Sequence, residues 1–136
     1  MENNKNNKMN FIVIDDSKLD CFIAEKIIKN IGKSVEIKSF LQATEALDYL
    51  KSSVENDPYP TIVLVDIQMP IMNGFEFVEA FEKLPVEVTD KFSIYIISSS
   101  INENDLSKVN NYPSVKQFIN KPLTSNNLAA LLMEIE

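Results

Sequence analysis

Five apolar runs, separated by stretches of helical periodicity, restrict this chain more than any other feature. Residues 11–14 read FIVI, 61–65 TIVLV, 92–97 FSIYII and 115–119 VKQFI. Each has strand length and little alternation, as strands covered on both faces do. Residues 35–40, VEIKSF, alternate more and predict a half-exposed edge strand. Between the runs, Leu19, Ile23, Ile27 and Ile31 recur every four positions, with Phe22 and Ile28 widening the stripe. Ala43, Ala46, Leu47 and Leu50 make a second helix; Phe77, Val78, Phe81 and Leu84 a third, stopped by Pro85. Residues 103–109 predict a short, weakly apolar helix through Leu106 and Val109, and Leu128, Leu131, Leu132 and Ile135 predict the last. Ser17, Asn102 and Thr124 stand where a side-chain oxygen can cap a first turn.

The order is therefore strand–helix, five times over. Successive parallel strands need crossovers, and the helices that make them cover both faces of the sheet. The expected fold is α/β: an open, doubly wound, five-stranded parallel sheet in a three-layer sandwich. One domain is expected over 10–136, after a disordered polar lead at 1–9.

Charge and composition remove several functions. The net charge of −7 opposes nonspecific nucleic-acid binding, which needs basic surface to replace counterions. With no histidine and a single cysteine, Cys21, the chain has no Ser-His-Asp triad, no histidine-ligated zinc, no intramolecular disulfide and no phosphohistidine of its own. The polar N-terminus is no signal peptide and no apolar run reaches membrane-spanning length, so a cytoplasmic protein with no membrane partner is expected.

In an open parallel sheet, ligands bind beyond the C-terminal ends of the strands. The first strand runs into Asp15 and Asp16, the third into Asp66, the fourth into Ser98, Ser99 and Ser100, and the fifth into Asn120, Lys121 and Pro122. Taken singly, the DD pair reads as a helix cap, Asp66 as a turn former and Lys121 as a surface lysine. Together they crowd three acids. Each carboxylate pair at 4 Å costs about 4 kcal/mol at an effective dielectric near 20, against a total stability of roughly 5–15 kcal/mol for a domain. A proton or a cation must relieve that. Lys121 supplies one positive charge, and Mg²⁺ suits the rest, because it takes one or two carboxylates and keeps waters for a phosphate. Pro70 and Gly74 shape the loop that turns Asp66 outward, with Gly74 expected to supply a turn and begin the third helix.

FIVIDD, DIQMPIMNG, the serine after the fourth strand and NKP, each at a strand end and in this order, resemble the receiver domain of two-component response regulators. The resemblance covers the chain from about Asn10 onward. It implies the flavodoxin-like, CheY-like (βα)5 fold with strand order 2-1-3-4-5. Asp66 would accept a phosphoryl group. Asp15, Asp16, Asp66 and the backbone carbonyl of Gln68 would hold Mg²⁺. Ser98 and Lys121 would bind phosphoryl oxygens, and the Lys121–Pro122 bond would be cis. Ser98 and Phe118 would form the switch, although Phe118 reads equally well as a packing aromatic. The implied partners are a histidine kinase or phosphotransfer protein and a downstream protein target in trans, with the chain a monomer or weak homodimer. The last apolar helix falls at the chain's end, so a stand-alone receiver is expected, not itself an enzyme beyond its own phosphorylation and slow dephosphorylation.

Some features depart from that pattern. NNYPSVKQF, with Tyr112 and Pro113, replaces a small-residue turn, and VEVTD at 86–90 is expected to lengthen a loop. Gln68 and Ser100 flank the site and bear on the lifetime of the phosphate. Glu76, Glu79 and Glu82 read as a solvated helix face. Three other functions compete. A phosphorelay intermediate would use the same residues. A small-molecule aspartate-nucleophile phosphohydrolase would want DxD after the first strand and residues for a cap, and a flavin-binding module would want a Gly/Ser/Thr-rich loop where this chain has DDSKLD.

Overall fold

The strand TIVLVD, β3 (Thr61–Asp66), is buried along its whole length, as a run of apolar and β-branched residues at the centre of a parallel sheet must be. The computed structural model describes residues 8–52, 58–99 and 102–135, and only the backbone of Ile135. Most of the polar lead, Ser100 and the Ile135 side chain fall outside the described residues. In chain order the elements are β1 (Met9–Ile14), α1 (Lys18–Ile31), β2 (Ser34–Phe40), α2 (Ala43–Ser52), β3, α3 (Gly74–Glu82), α4 (Val86–Thr89), β4 (Phe92–Ser98), α5 (Glu103–Val109), β5 (Val115–Asn120) and α6 (Ser125–Ile135). The strands pair in parallel in the order β2-β1-β3-β4-β5.

Strand periodicity divides the core in two. Ile12, Ile14, Val63, Val65, Ile94 and Ile96 point to one face, against Ala43, Leu47 and Leu50 of α2 and Phe77, Val78 and Phe81 of α3. Phe11, Val13, Ile62, Leu64, Tyr95 and Ile97 point to the other, against Cys21, Ala24 and Ile28 of α1 and Leu128, Leu131 and Leu132 of α6.

Four local expectations need correction. The buried face of α1 is Cys21, Ala24 and Ile28, while Leu19 and Phe22 are 65% and 55% exposed. Ile27 and Ile31 are half-buried at the edge of that face, against the same core. β5 is no buried strand: of its residues only Ile119 is fully buried, because it forms a sheet edge opposite β2. The expected loop at 86–90 contains the single turn α4, which follows Pro85 and buries Val88 in the α2–α3 core. Met9, assigned to the lead, opens β1 and is buried.

Three capping expectations hold. The Asp20, Asp105 and Asn127 backbone N–H groups donate to Ser17 Oγ (3.1 Å), Asn102 Oδ1 (2.9 Å) and Thr124 Oγ1 (3.0 Å). The longest helix has 14 residues, and no described helix is long and apolar enough to cross a membrane.

Candidate functional site

Strand register assembles the site. Ile14 pairs with Val65, Asp66 with Ile97, and Ser98 with Asn120. One step beyond Ile14 and Asn120 stand Asp15 and Lys121, so residues from four stretches of sequence meet at one edge. Each leaves its strand where the ladder ends, which frees its side chain from the packed faces.

Asp15 is buried, and its backbone N–H still donates to Phe40 O at 3.1 Å. Its Oδ1 accepts from the Ser17 N–H at 2.9 Å and its Oδ2 from Lys121 Nζ at 2.6 Å. Asp16 is exposed and Asp66 buried. Asp15, Asp16 and Asp66 each offer a carboxylate oxygen, and these oxygens lie within 4.8 Å of one another. Lys121 Nζ also donates to Asp20 Oδ2 at 2.9 Å and lies 3.6 Å from Asp66 Oδ2. Its backbone N–H donates to the carbonyl of the buried Ser98 at 3.0 Å, and the Lys121–Pro122 peptide bond is cis.

The electrostatics follow from this crowding. Burial pushes the Asp66 carboxyl up to about 6; Lys121 opposes the rise, Asp15 adds to it, and the backbone N–H groups of Gln68 and Ile67 oppose it by hydrogen bonding. Burial works against the Lys121 ammonium, but the hydrogen bonds to Asp15 and Asp20 and the charges of Asp15 and Asp66 hold it above the usual lysine range. Cys21 lies beneath the site with its Sγ 3.4 Å from Asp15 O. Burial, then the Asp15 charge, pushes this thiol up to about 11, so it is inert rather than nucleophilic.

The loop after Asp66 is built differently from expectation. Its left-handed residue is Ile71, at φ 74°, and not Gly74. Gly74 is needed for space: a Cβ there would stand 2.6 Å from Asp66 O and 2.9 Å from Ile67 Cα. Its N–H donates to Ile67 O at 2.9 Å, folding the start of α3 back under the acid. Asn73 caps α3 and exchanges bonds with Glu76, whose backbone N–H donates at 2.8 Å and whose carboxylate accepts the Asn73 N–H at 2.9 Å.

The acids of α3 are not a merely solvated face. Besides Glu76 in the cap, Glu79 accepts from the Tyr112 hydroxyl, and Glu82 accepts from Ser114 N at 3.0 Å and Ser114 Oγ at 2.6 Å. Tyr112 also stacks on Phe75, with centroids 5.8 Å apart, and Lys108 Nζ lies 5.0 Å from the centroid of the same ring. The unusual NNYPS segment thus fastens the α5–β5 connection to α3. Phe118 is half-buried against the α2–α3 core, beside Ile96 of β4.

The structure therefore brings Asp15, Asp16, Asp66 and Lys121 together and sets Ser98 in the neighbouring strand end. Gln68, two residues beyond Asp66, is exposed. Asp20, which the strand ends do not point to, joins the site from the first turn of α1. Its position in the first turn of the helix that leaves the first strand end was the available signal.

Three all-oxygen acidic ligands, two buried and one open to solvent, fit a hard divalent cation that retains water. Such a site can draw in an anion, place it beside Asp66 and offset its charge with Lys121.

A family model described as the response regulator receiver domain matches residues 11–133. Among solved structures, a response regulator receiver protein from Dyadobacter fermentans is 35% identical, with 93% of this chain and 96% of that one covered and a TM-score of 0.82. A two-component response regulator from Cytophaga hutchinsonii is 28% identical, with coverage of 94% and 97% and a TM-score of 0.84. The sensor histidine kinase CheAY of Helicobacter pylori is 37% identical over 81 residues, which are 58% of this chain and 10% of that protein.

Proposed function

Because this chain belongs to the response regulator receiver domain family of two-component signalling, we propose that it takes a phosphoryl group onto Asp66 from a histidine kinase or phosphotransfer protein, in a Mg²⁺-dependent reaction, and signals through a protein partner. The observation that carries this reading is the meeting of Asp15, Asp16 and Asp66 within 4.8 Å, with the Lys121 ammonium 3.6 Å from Asp66.

An Asp66 carboxylate oxygen attacks phosphorus. An O–P bond forms as the P–N bond of the donor phosphohistidine breaks, and the bonding pair leaves on the imidazole nitrogen. Phosphoryl transfer asks the protein chiefly for positioning and charge stabilisation. Asp15, Asp16, Asp66 and the Gln68 carbonyl are the residues that would hold Mg²⁺, which supplies charge neutralisation between the anionic nucleophile and the anionic donor. Lys121 and the Ser98 hydroxyl bind phosphoryl oxygens. Ser98 then draws toward the new group, Phe118 follows, and the surface around α5, β5 and α6 changes its population of states. That no residue of α5 is fully buried supports α5 as the movable part of that surface.

The test is to incubate the chain with a small acyl phosphate and Mg²⁺ and weigh it. The wild type is expected to gain one phosphoryl mass and Asp66→Asn none. A phosphoryl gain by the Asn variant would move the acceptor elsewhere.

A further inference from the structure

Lys121 has three N–H bonds to give and three carboxylates around it: Asp15 at 2.6 Å, Asp20 at 2.9 Å and Asp66 at 3.6 Å. Two of these partners, Asp15 and Asp66, are the crowded oxygens that would hold a divalent cation; Asp20 is not in that cluster. A cation on Asp15 and Asp66 repels the ammonium and competes for the same lone pairs. The lysine then keeps one partner that the cation does not claim. We propose that Asp20 is a positioning residue: it retains Lys121 beside the site once a cation occupies the Asp15–Asp16–Asp66 cluster, so that the ammonium faces an incoming phosphoryl oxygen instead of contesting the metal. This rests on the functional reading above and goes beyond it in assigning a task to Asp20.

The local structure suits that task. Asp20 lies in the first turn of α1, and its backbone N–H is fixed on Ser17 Oγ at 3.1 Å. The Ser17 N–H in turn donates to Asp15 Oδ1 at 2.9 Å, so one cap sets the spacing of the two acids that share the lysine. The Asp20 side chain is 40% exposed whereas that of Asp15 is 5%, so Asp20 approaches Lys121 from the solvent side of the pair. A cavity of about 50 Å³, lined in part by Asp15, Asp20, Ile23, Lys121 and Pro122, leaves the ammonium room to shift from one acid to the other.

A double-mutant cycle on magnesium affinity, measured by titration calorimetry, tests the assignment. Wild type, Asp20→Asn, Lys121→Met and the double variant are compared after their folded state is checked by circular dichroism. In the wild-type background, Asp20→Asn removes a negative charge and releases Lys121 onto the metal ligands, and magnesium affinity is expected to fall five- to tenfold. In the Lys121→Met background only the screened charge is lost, and the same substitution is expected to change affinity by less than twofold. Asp20→Glu, which keeps the charge and the acceptor, is expected to restore most of the loss. Equal effects in both backgrounds, or no effect in either, would overturn the proposal, since Asp20 would then not act through Lys121. A wild-type chain that takes up no magnesium would remove both this proposal and the functional reading. A chain that binds magnesium while Asp20→Asn is silent would remove this one alone.

Discussion

Gly74 answers to space, not to backbone twist, and its neighbour Asp66 bears the consequence. Any side chain at 74 would press on the Asp66 carbonyl and the Ile67 Cα. Gly74→Ala is expected to cost about 1–3 kcal/mol, as overpacking of a tight contact does, and to slow phosphoryl uptake by displacing the acid; chemical unfolding and the mass assay would read the two effects. Asp66 itself opposes stability. Its carboxyl holds a proton up to about pH 6 when folded, against an ordinary value of 3.8. The folded state therefore binds more protons between those values. The stabilisation is complete below about pH 4 and is lost as pH rises through about 6. In the presence of a chelator, Asp66→Asn is expected to be more stable than wild type by on the order of 2–3 kcal/mol at pH 7, with the gap closing toward pH 4. Denaturant titrations at the two pH values would measure it, and a constant gap would contradict the burial of that charge. At this scale the meeting of Asp15, Asp16, Asp66 and Lys121 was legible because each stands within two residues of the end of an apolar run. Asp20 and Ile71 were not. An acid in a first turn looks like a cap in sequence, and nothing in an isoleucine announces a left-handed backbone.

Whole elements were legible where one residue period dominated. The strands stand out in sequence because β-branched and aromatic residues run unbroken, and the helices because their apolar positions recur at helical spacing. What sequence misplaced was the phase of α1, since Cys21 and Ala24 are small beside Leu19, Phe22 and Ile23 and do not dominate an apolar stripe. It also took the five residues after Pro85 for a loop, because a single turn is too short to establish a period. The fastening of α5–β5 to α3 depends on partners more than 30 residues apart, Tyr112 with Glu79 and Ser114 with Glu82, and no local pattern reports such pairs. The bond to Glu79 chiefly, with burial and the charges of Glu79 and Glu82, pushes the Tyr112 hydroxyl up to about 12, so this link is intact at neutral pH. Tyr112→Phe keeps the stack on Phe75 and removes only the hydroxyl. It is expected to cost about 1 kcal/mol, the net worth of one hydrogen bond, and to speed amide exchange in α5 relative to β3. Unchanged exchange in α5 would mean that the aromatic stack alone holds the connection.

For the molecule as a whole, the acids at the strand ends carry a cost that Lys121 offsets only in part, since burial still holds the Asp66 carboxyl up to about 6. Magnesium at a hundredfold excess over its dissociation constant is expected to stabilise the chain by about 2.7 kcal/mol, read as a rise in melting temperature that Asp66→Asn loses in large part. The alternation of strands and helices in the sequence was enough to predict a doubly wound sheet. The strand order came with the receiver resemblance, because alternation alone is compatible with several orders. The sheet is also uneven in stiffness. Asp66 is mounted on β3, covered on both faces and paired on both sides, while Lys121 follows β5, which among the described residues pairs on one side only. The buried acid is thus bolted to the keel of the fold and its counter-charge hung from the gunwale. On the function proposed above, a change in the charge between them would be taken up on the edge side of the sheet, where fewer ladder bonds resist it.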